Sequence, residues 1–211
     1  MQLMFEQHLI GMKTLCKMAK TELHPKKESL ILAVRDNILV DPDAYFEKSK
    51  QLTYWPRDIH PDDIGFFPGI RTKQFHQFDE DLFQKTMEQL EPVYNEFGLE
   101  YYYGNHSYSF SKLRADSPQV MHRDSQEVRD DEICFAGVIY LNPDPPMAEE
   151  SGTHFILDSK LKKINNKYNR LVIYGSNITH SPGPAWGETW DDDCRLTLTI
   201  SSTWNIRDLK L

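Results

Sequence analysis

The chain has 211 residues, of which 39% are hydrophobic, 12% aromatic and 27% charged, a balance that argues against a disordered or fibrous protein and allows one domain with a buried core. Its 24 basic residues against 32 acidic ones leave a formal net charge of −8, which opposes docking on a phosphate backbone and excludes nucleic acid as a natural partner. Cys16, Cys134 and Cys194 form no CxxC pair, so they do not read as a secreted disulfide framework, and a cytoplasmic location fits them best.

The N-terminal stretch MQLMFEQHLIGMKTLCKMAK is interrupted by Glu6, Lys13, Lys17 and Lys20, leaving neither a signal-peptide core nor a membrane span. It predicts an amphipathic surface helix and no membrane partner. Asp41-Pro42 supplies an N-cap and a first-turn proline ahead of AYFEKSKQL, and Asp79 precedes EDLFQKTMEQL, so two helices are predicted there. Pro92 is expected to kink or end the second, with Gly98 a later stop. Between them TYWPRDIHPDDIGFFPGIRT, residues 53 to 72, is dense in proline, glycine and aromatic residues and predicts a long structured loop that covers something.

From about residue 100 the texture changes to short β-type runs: SYSFSKL, CFAGVIYL, THFIL, RLVIY and RLTLTISSTW. Turn-rich segments separate them, and no long helix intervenes, which argues an antiparallel sandwich or jelly roll. The helices of the first half would pack on the outer face of one sheet. A single domain results, with residues 1–99 as a helix-rich support region and 100–205 as the β core.

Three features line up on that core. In Val120-Met121-His122-Arg123-Asp124-Ser125 the histidine and the aspartate are two apart, and an extended backbone points such residues the same way. His180 follows the strand RLVIY, and Arg195 opens the last strand. Two histidines and one carboxylate are the facial triad of non-haem Fe(II) oxygenases, which leaves three adjacent coordination positions open. Neutral imidazoles and a single carboxylate leave Fe(II) with one net positive charge, which favours an anionic chelating co-substrate. A guanidinium grips a carboxylate through two charge-assisted hydrogen bonds, and Thr197, on the face of Arg195, adds a third. The bland readings stand beside these: a lone His-x-Asp is usually a surface pair, and Arg195 could simply pair with Asp191, Asp192 or Asp193.

Residues 100 to 205 resemble the 2-oxoglutarate- and Fe(II)-dependent dioxygenases, closest to their prolyl-hydroxylase-like branch. His122-x-Asp124 is similar to the family's proximal ligands and VIYLNP, 138 to 143, to the strand that follows them. Ser151-Gly152-Thr153-His154-Phe155 is similar to its glycine-rich turn, His180 to its distal ligand, and Arg195-Leu196-Thr197 to its Arg-x-Ser element. The separation of 180 − 122 = 58 residues suits that fold. Arg195 lies 195 − 180 = 15 residues after His180, so SPGPAWGETWDDDC must loop out, and Trp186 and Trp190 on that loop are candidate lid residues. The branch carries a tyrosine shortly before its His-x-Asp pair; here the region reads Leu113-Arg114-Ala115, so that contact falls to Tyr108 or to Tyr140, the latter facing inward beside Arg195. The segment FPGIR, Phe67 to Arg71, is similar to one in bacterial and phage oxygenase-like proteins and implies no substrate.

The resemblance implies a mainly β fold with α elements, the double-stranded β-helix or cupin-like jelly roll. It implies Fe(II) held by His122, Asp124 and His180, and 2-oxoglutarate as co-substrate held by Arg195, Thr197 and Tyr140. It also implies dioxygen as a reactant, with hydroxylation of a small molecule or a protein residue and release of succinate and CO2. Asp124 favours hydroxylation over halogenation, since related halogenases lack that carboxylate. Two alternatives stay open on the sequence: a cupin-like metal-dependent isomerase or hydrolase, and a non-enzymatic jelly-roll binding module.

Overall fold

Along the last predicted strand, Leu196, Leu198, Ile200 and Trp204 are buried in one apolar cluster, while Arg195, Thr197, Thr199, Ser201 and Thr203 line a cavity. This period of two is that of a strand whose two faces meet different surroundings. A computed structural model describes residues 32–62, 67–100, 104–124, 132–190 and 194–205; the N-terminal stretch expected to form a surface helix lies outside them.

In chain order the elements are β1 (Leu32–Asp36), α1 (Pro42–Lys50), β2 (Trp55–Pro56), β3 (Ile70–Arg71), α2 (Glu80–Glu96), β4 (Gly104–Leu113), β5 (Glu132–Tyr140), β6 (Thr153–Leu157), β7 (Lys160–Ile164), β8 (Arg170–Gly175), β9 (His180–Pro182) and β10 (Arg195–Asn205). Seven strands form one sheet in the order β1-β8-β5-β10-β4-β3-β2, and three form a second in the order β7-β6-β9. Every pairing is antiparallel. Two facing antiparallel sheets with a cavity between them make the expected jelly roll.

Both helices begin as their caps dictate. Asp41 accepts from the Ala44 N–H at 3.0 Å and Asp79 from the Leu82 N–H at 3.0 Å, each satisfying an amide that the first turn leaves unpaired. Pro92 does not end α2 but sits inside it. Proline removes one intrahelical donor, yet Leu90, Val93 and Tyr94 on either side are buried in the core, and that packing carries the helix through to Glu96. There Gly98 at φ 75° allows the Leu99 amide to reach back to the Tyr94 carbonyl at 3.1 Å, a glycine-dependent C-terminal turn.

Helix α2 covers the outer face of the large sheet. Its Leu90, Val93 and Tyr94 join Tyr108, Phe110, Leu198, Ile200 and Trp204 in one cluster, where a fully buried side chain of this kind contributes roughly 1.5–3 kcal/mol. The Tyr94 hydroxyl meets Ser202 Oγ at 2.8 Å, and His106 Nδ1 meets the same oxygen at 2.9 Å, so these three buried polar side chains partner one another. The first half also adds strands to the sheet: β1 pairs with β8, and β3, with β2 outside it, pairs with β4. No helix among the described residues is long and apolar enough to cross a membrane.

Candidate metal centre and co-substrate pocket

Between the sheets lies a cavity of about 600 Å³ whose lining includes His122, Asp124, His180, Arg195 and Thr197. His180 is held in β9 against β6. The His122 segment is tied to it by two backbone hydrogen bonds, His122 N–H to His180 C=O at 2.8 Å and the reverse at 2.9 Å. Two residues further, the Asp124 amide donates to the Ser176 carbonyl at 3.0 Å. His122 forms a β-bridge to His180 and Asp124 follows at a bend, and together these bring both residues to His180.

The side chains converge. His122 Nε2 lies 3.5 Å from Asp124 Oδ1, and His180 Nε2 lies 3.4 Å from Asp124 Oδ2. One ligand atom from each of the three residues falls within 4.8 Å of the other two. Adjacent ligands at about 2.1 Å from an ion are about 3 Å apart, so a small inward movement would seat one metal. Each Nδ1 is in hydrogen-bond contact with a main-chain carbonyl, His122 with Val120 at 2.8 Å and His180 with Ile178 at 2.9 Å. A proton held on Nδ1 fixes the tautomer that ligates through Nε2.

Electrostatics distinguish the three. Donating a hydrogen bond to the Asp124 carboxylate raises the pKa of His122. Burial lowers that of His180 and favours its neutral, ligating form. Burial works against ionisation of Asp124, but the His122 hydrogen bond and the fields of His180, His122 and Arg71 hold its carboxyl below the usual range.

Arg195 is 2% exposed. Its Nη2 donates to the Gly152 carbonyl at 3.1 Å, while Nε and Nη1 have no hydrogen-bond partner, and burial depresses its pKa. No carboxylate pairs with it among the described residues; Asp191, Asp192 and Asp193 lie outside them. A buried guanidinium with two idle donors is a costly arrangement unless an anion arrives. Thr197 lies on the same face and lines the cavity. Tyr140 is fully buried, its ring 5.6 Å from the Arg195 guanidinium and its hydroxyl 2.7 Å from Thr153 Oγ1. Tyr108 is turned to the opposite face, in the α2 core beside Phe75 and Phe83, which corrects its candidacy for the co-substrate: an even-numbered residue of β4 cannot share a face with Ser109 and Ser111. Neither Trp186 nor Trp190 lines the cavity; Trp186 is buried, and Trp190 receives the Arg114 guanidinium at 4.6 Å from its ring centre.

Two pocket residues escape sequence reasoning. Tyr174 of β8 is buried against His180, ring centres 4.5 Å apart, and burial, with the fields of Asp124 and Tyr140, pushes its pKa well up against the smaller opposing fields of Arg195 and Arg71. Arg71 of β3 lines the cavity from the other side. The FPGIR segment was the signal for it, but only the β3–β4 pairing shows which way its arginine turns.

No protein-family model matches the chain, and no curated protein matches it. Solved structures do. A Pseudomonas putida prolyl-4-hydroxylase superimposes with TM-score 0.54 over 92% of this chain and 98% of its own, at 16% identity. HygX from Streptomyces hygroscopicus, with nickel and 2-oxoglutarate bound, gives 0.59 over 82% of each chain at 12% identity. A Trichoplax adhaerens prolyl hydroxylase bound to a hypoxia-inducible-factor peptide gives 0.56 over 95% and 94% at 13% identity. The chain shares the fold of these proteins. The double-stranded β-helix expected from the sequence is therefore the observed architecture.

Proposed function

We propose that this protein is an Fe(II)- and 2-oxoglutarate-dependent dioxygenase that hydroxylates a substrate and releases succinate and CO2. The observation that carries the reading is a pairing within one cavity: a His-Asp-His cluster with ligand atoms within 4.8 Å of one another, and a buried guanidinium with two idle nitrogens. Each half of that pairing suits one end of a 2-oxo dicarboxylate. Nickel and 2-oxoglutarate bound to HygX, a protein of the same fold, add support.

His122, Asp124 and His180 would hold the metal on one face. The carbonyls of Val120 and Ile178 keep the imidazoles oriented through Nδ1, so the ligands are set before the ion arrives. Bound Fe(II) supplies open coordination positions and redox capacity for dioxygen chemistry. Arg195 would receive the distal carboxylate through Nε and Nη1, with Thr197 adding a hydroxyl and Tyr140 holding the guanidinium plane. The cavity lies between two sheets, with His180 buried in its wall and the Asp124 side chain 37% exposed.

The test is reconstitution with Fe(II) and 2-oxoglutarate without oxygen, followed by air. Succinate should form even without a primary substrate, and His180→Ala should form none. Absence of succinate from the intact protein, with no Mn(II) binding by calorimetry, would remove the oxygenase reading.

A further inference from the structure

We propose that Arg71 is a substrate-binding residue whose guanidinium receives the carboxylate of a small hydroxylated monocarboxylic acid. The inference rests on the dioxygenase reading and names the substrate class of that same cavity.

The FPGIR segment is built to deliver this side chain. Gly69 has φ 77°, and a Cβ there would meet the Lys112 carbonyl oxygen at 2.1 Å; only glycine lets the loop lie so close to β4. Ile70 and Arg71 then pair with Lys112 and Ser111, and the arginine turns into the cavity. Its Nε donates to Ser111 Oγ at 2.9 Å, and its guanidinium lies 4.5 Å from the centre of the Phe67 ring. Held at Nε and supported on one face, the group presents its Nη1 and Nη2 edge, whose spacing matches the two oxygens of a carboxylate. No carboxylate forms an ion pair with Arg71 among the described residues. Arg71 shares the cavity lining with His122, Asp124 and His180, so an anion on it would lie in the cavity of the metal ligands.

Charge balance gives the ligand's valence. A divalent metal, Asp124, Arg195, Arg71 and a doubly charged co-substrate sum to one net positive charge, which one carboxylate neutralises. A phosphate monoester would overshoot, and among the described residues no helix N-terminus lines the cavity to help hold one. The floor beside Arg71 is hydroxylic: Ser109 Oγ and Ser111 Oγ lie 2.9 and 3.3 Å from Thr199 Oγ1, and Ser201 and Thr203 continue the row along the cavity. Such a surface bonds hydroxyl substituents and wastes itself on a hydrocarbon tail.

The experiment uses the intact protein loaded with Mn(II) and 2-oxoglutarate, read by ligand-observed NMR and calorimetry. Probes are glycerate and lactate, each against its primary amide, and glycerol 1-phosphate. Both acids are expected to bind and both amides to bind at least ten-fold more weakly. Arg71→Gln should lose at least ten-fold in acid affinity and less than three-fold in 2-oxoglutarate affinity. Arg71→Lys, which keeps the charge without the fork, should fall between, and it remains a test if the glutamine variant is poorly folded. Equal binding of acids by wild type and both variants, tighter binding of the phosphate, or no acid binding at all would overturn the assignment while leaving the dioxygenase reading intact. An Arg71→Gln protein that loses 2-oxoglutarate as severely as Arg195→Gln would move Arg71 to the co-substrate site and overturn it too. If Mn(II) and 2-oxoglutarate fail to bind the wild type, both readings fall together.

Discussion

Arg195 and His180 make separable demands on the cavity. The guanidinium keeps Nε and Nη1 unpartnered while 2% exposed, so the co-substrate's carboxylate would supply two charge-assisted bonds that nothing else does. Arg195→Gln removes the fork and should weaken 2-oxoglutarate binding by roughly 100-fold, about 3 kcal/mol, while calorimetry finds Mn(II) affinity within a few-fold of wild type. His180→Ala deletes one of three ligands and should abolish Mn(II) binding and, with it, co-substrate binding. Equal losses of both ligands in both variants would show that the two sites are not separable. Asp124 adds a sign to this scheme: with its carboxyl held below the usual range, it stays ionised and able to ligate through mildly acidic pH. His122, raised by Asp124, must shed its proton before it can ligate. Mn(II) affinity should therefore fall as pH drops through the His122 pKa, above that of an ordinary histidine, and the calorimetric titration repeated across pH measures it.

At the level of elements, β1 is fastened to β8 by more than its ladder. Asp36 and Arg170 are register partners, joined by Arg170 Nε to Oδ1 at 2.6 Å and Nη2 to Oδ2 at 3.0 Å, with Lys167 Nζ at 2.7 Å from Oδ2. The Arg170 hydrogen bonds, with Lys167 beside them, lower the Asp36 pKa from 3.8 to about 2. At face value that shift is about 2 kcal/mol; with a third of the side chain in water, screening reduces it to about 1 kcal/mol. Because the folded pKa is depressed, this stability is complete above the unfolded value near pH 4 and is lost as pH falls toward 2. Asp36→Asn should cost about 1 kcal/mol by urea denaturation at pH 7, with the gap to wild type closing between pH 4 and 2. The same elements mark what the sequence could reveal. THFIL became β6 without change, and RLVIY and RLTLTISSTW grew by one residue each, because buried strands carry apolar runs. KLKKI did not announce β7, since an edge strand with both faces in water replaces alternation with lysines. LAVRD was too short to stand out, and β2, β3 and β9 have only two or three residues each, fixed by partners distant in the chain. His122, Asp124 and His180 were legible as residue types in order; their convergence depends on the β9 bridge, and the inward turn of Arg71 on β4.

Across the whole molecule, the cavity trades stability for readiness to bind. The large sheet packs its outer face under α2 with apolar side chains, but its inner face carries Arg195, Arg71 and a row of hydroxyls, which a core built for stability alone would replace. Burial depresses the pKa of Arg195, a sign that its charge is dehydrated without compensation. Arg195→Met keeps much of the side-chain volume and removes that charge, so the ligand-free variant should be more stable than wild type by about 1–2 kcal/mol, a rise of roughly 2–8 °C in Tm for a chain of this size. Loading should reverse the order. At a hundred-fold excess over Kd, Mn(II) and 2-oxoglutarate add about 2.7 kcal/mol or more to wild type, whereas the methionine variant gains only what the metal gives. Calorimetric melting of both proteins, with and without ligands, reads the crossing directly. If Arg195→Met is less stable in both states, its bond to the Gly152 carbonyl is what the fold needs, and the guanidinium is a structural strut between β10 and the turn before β6.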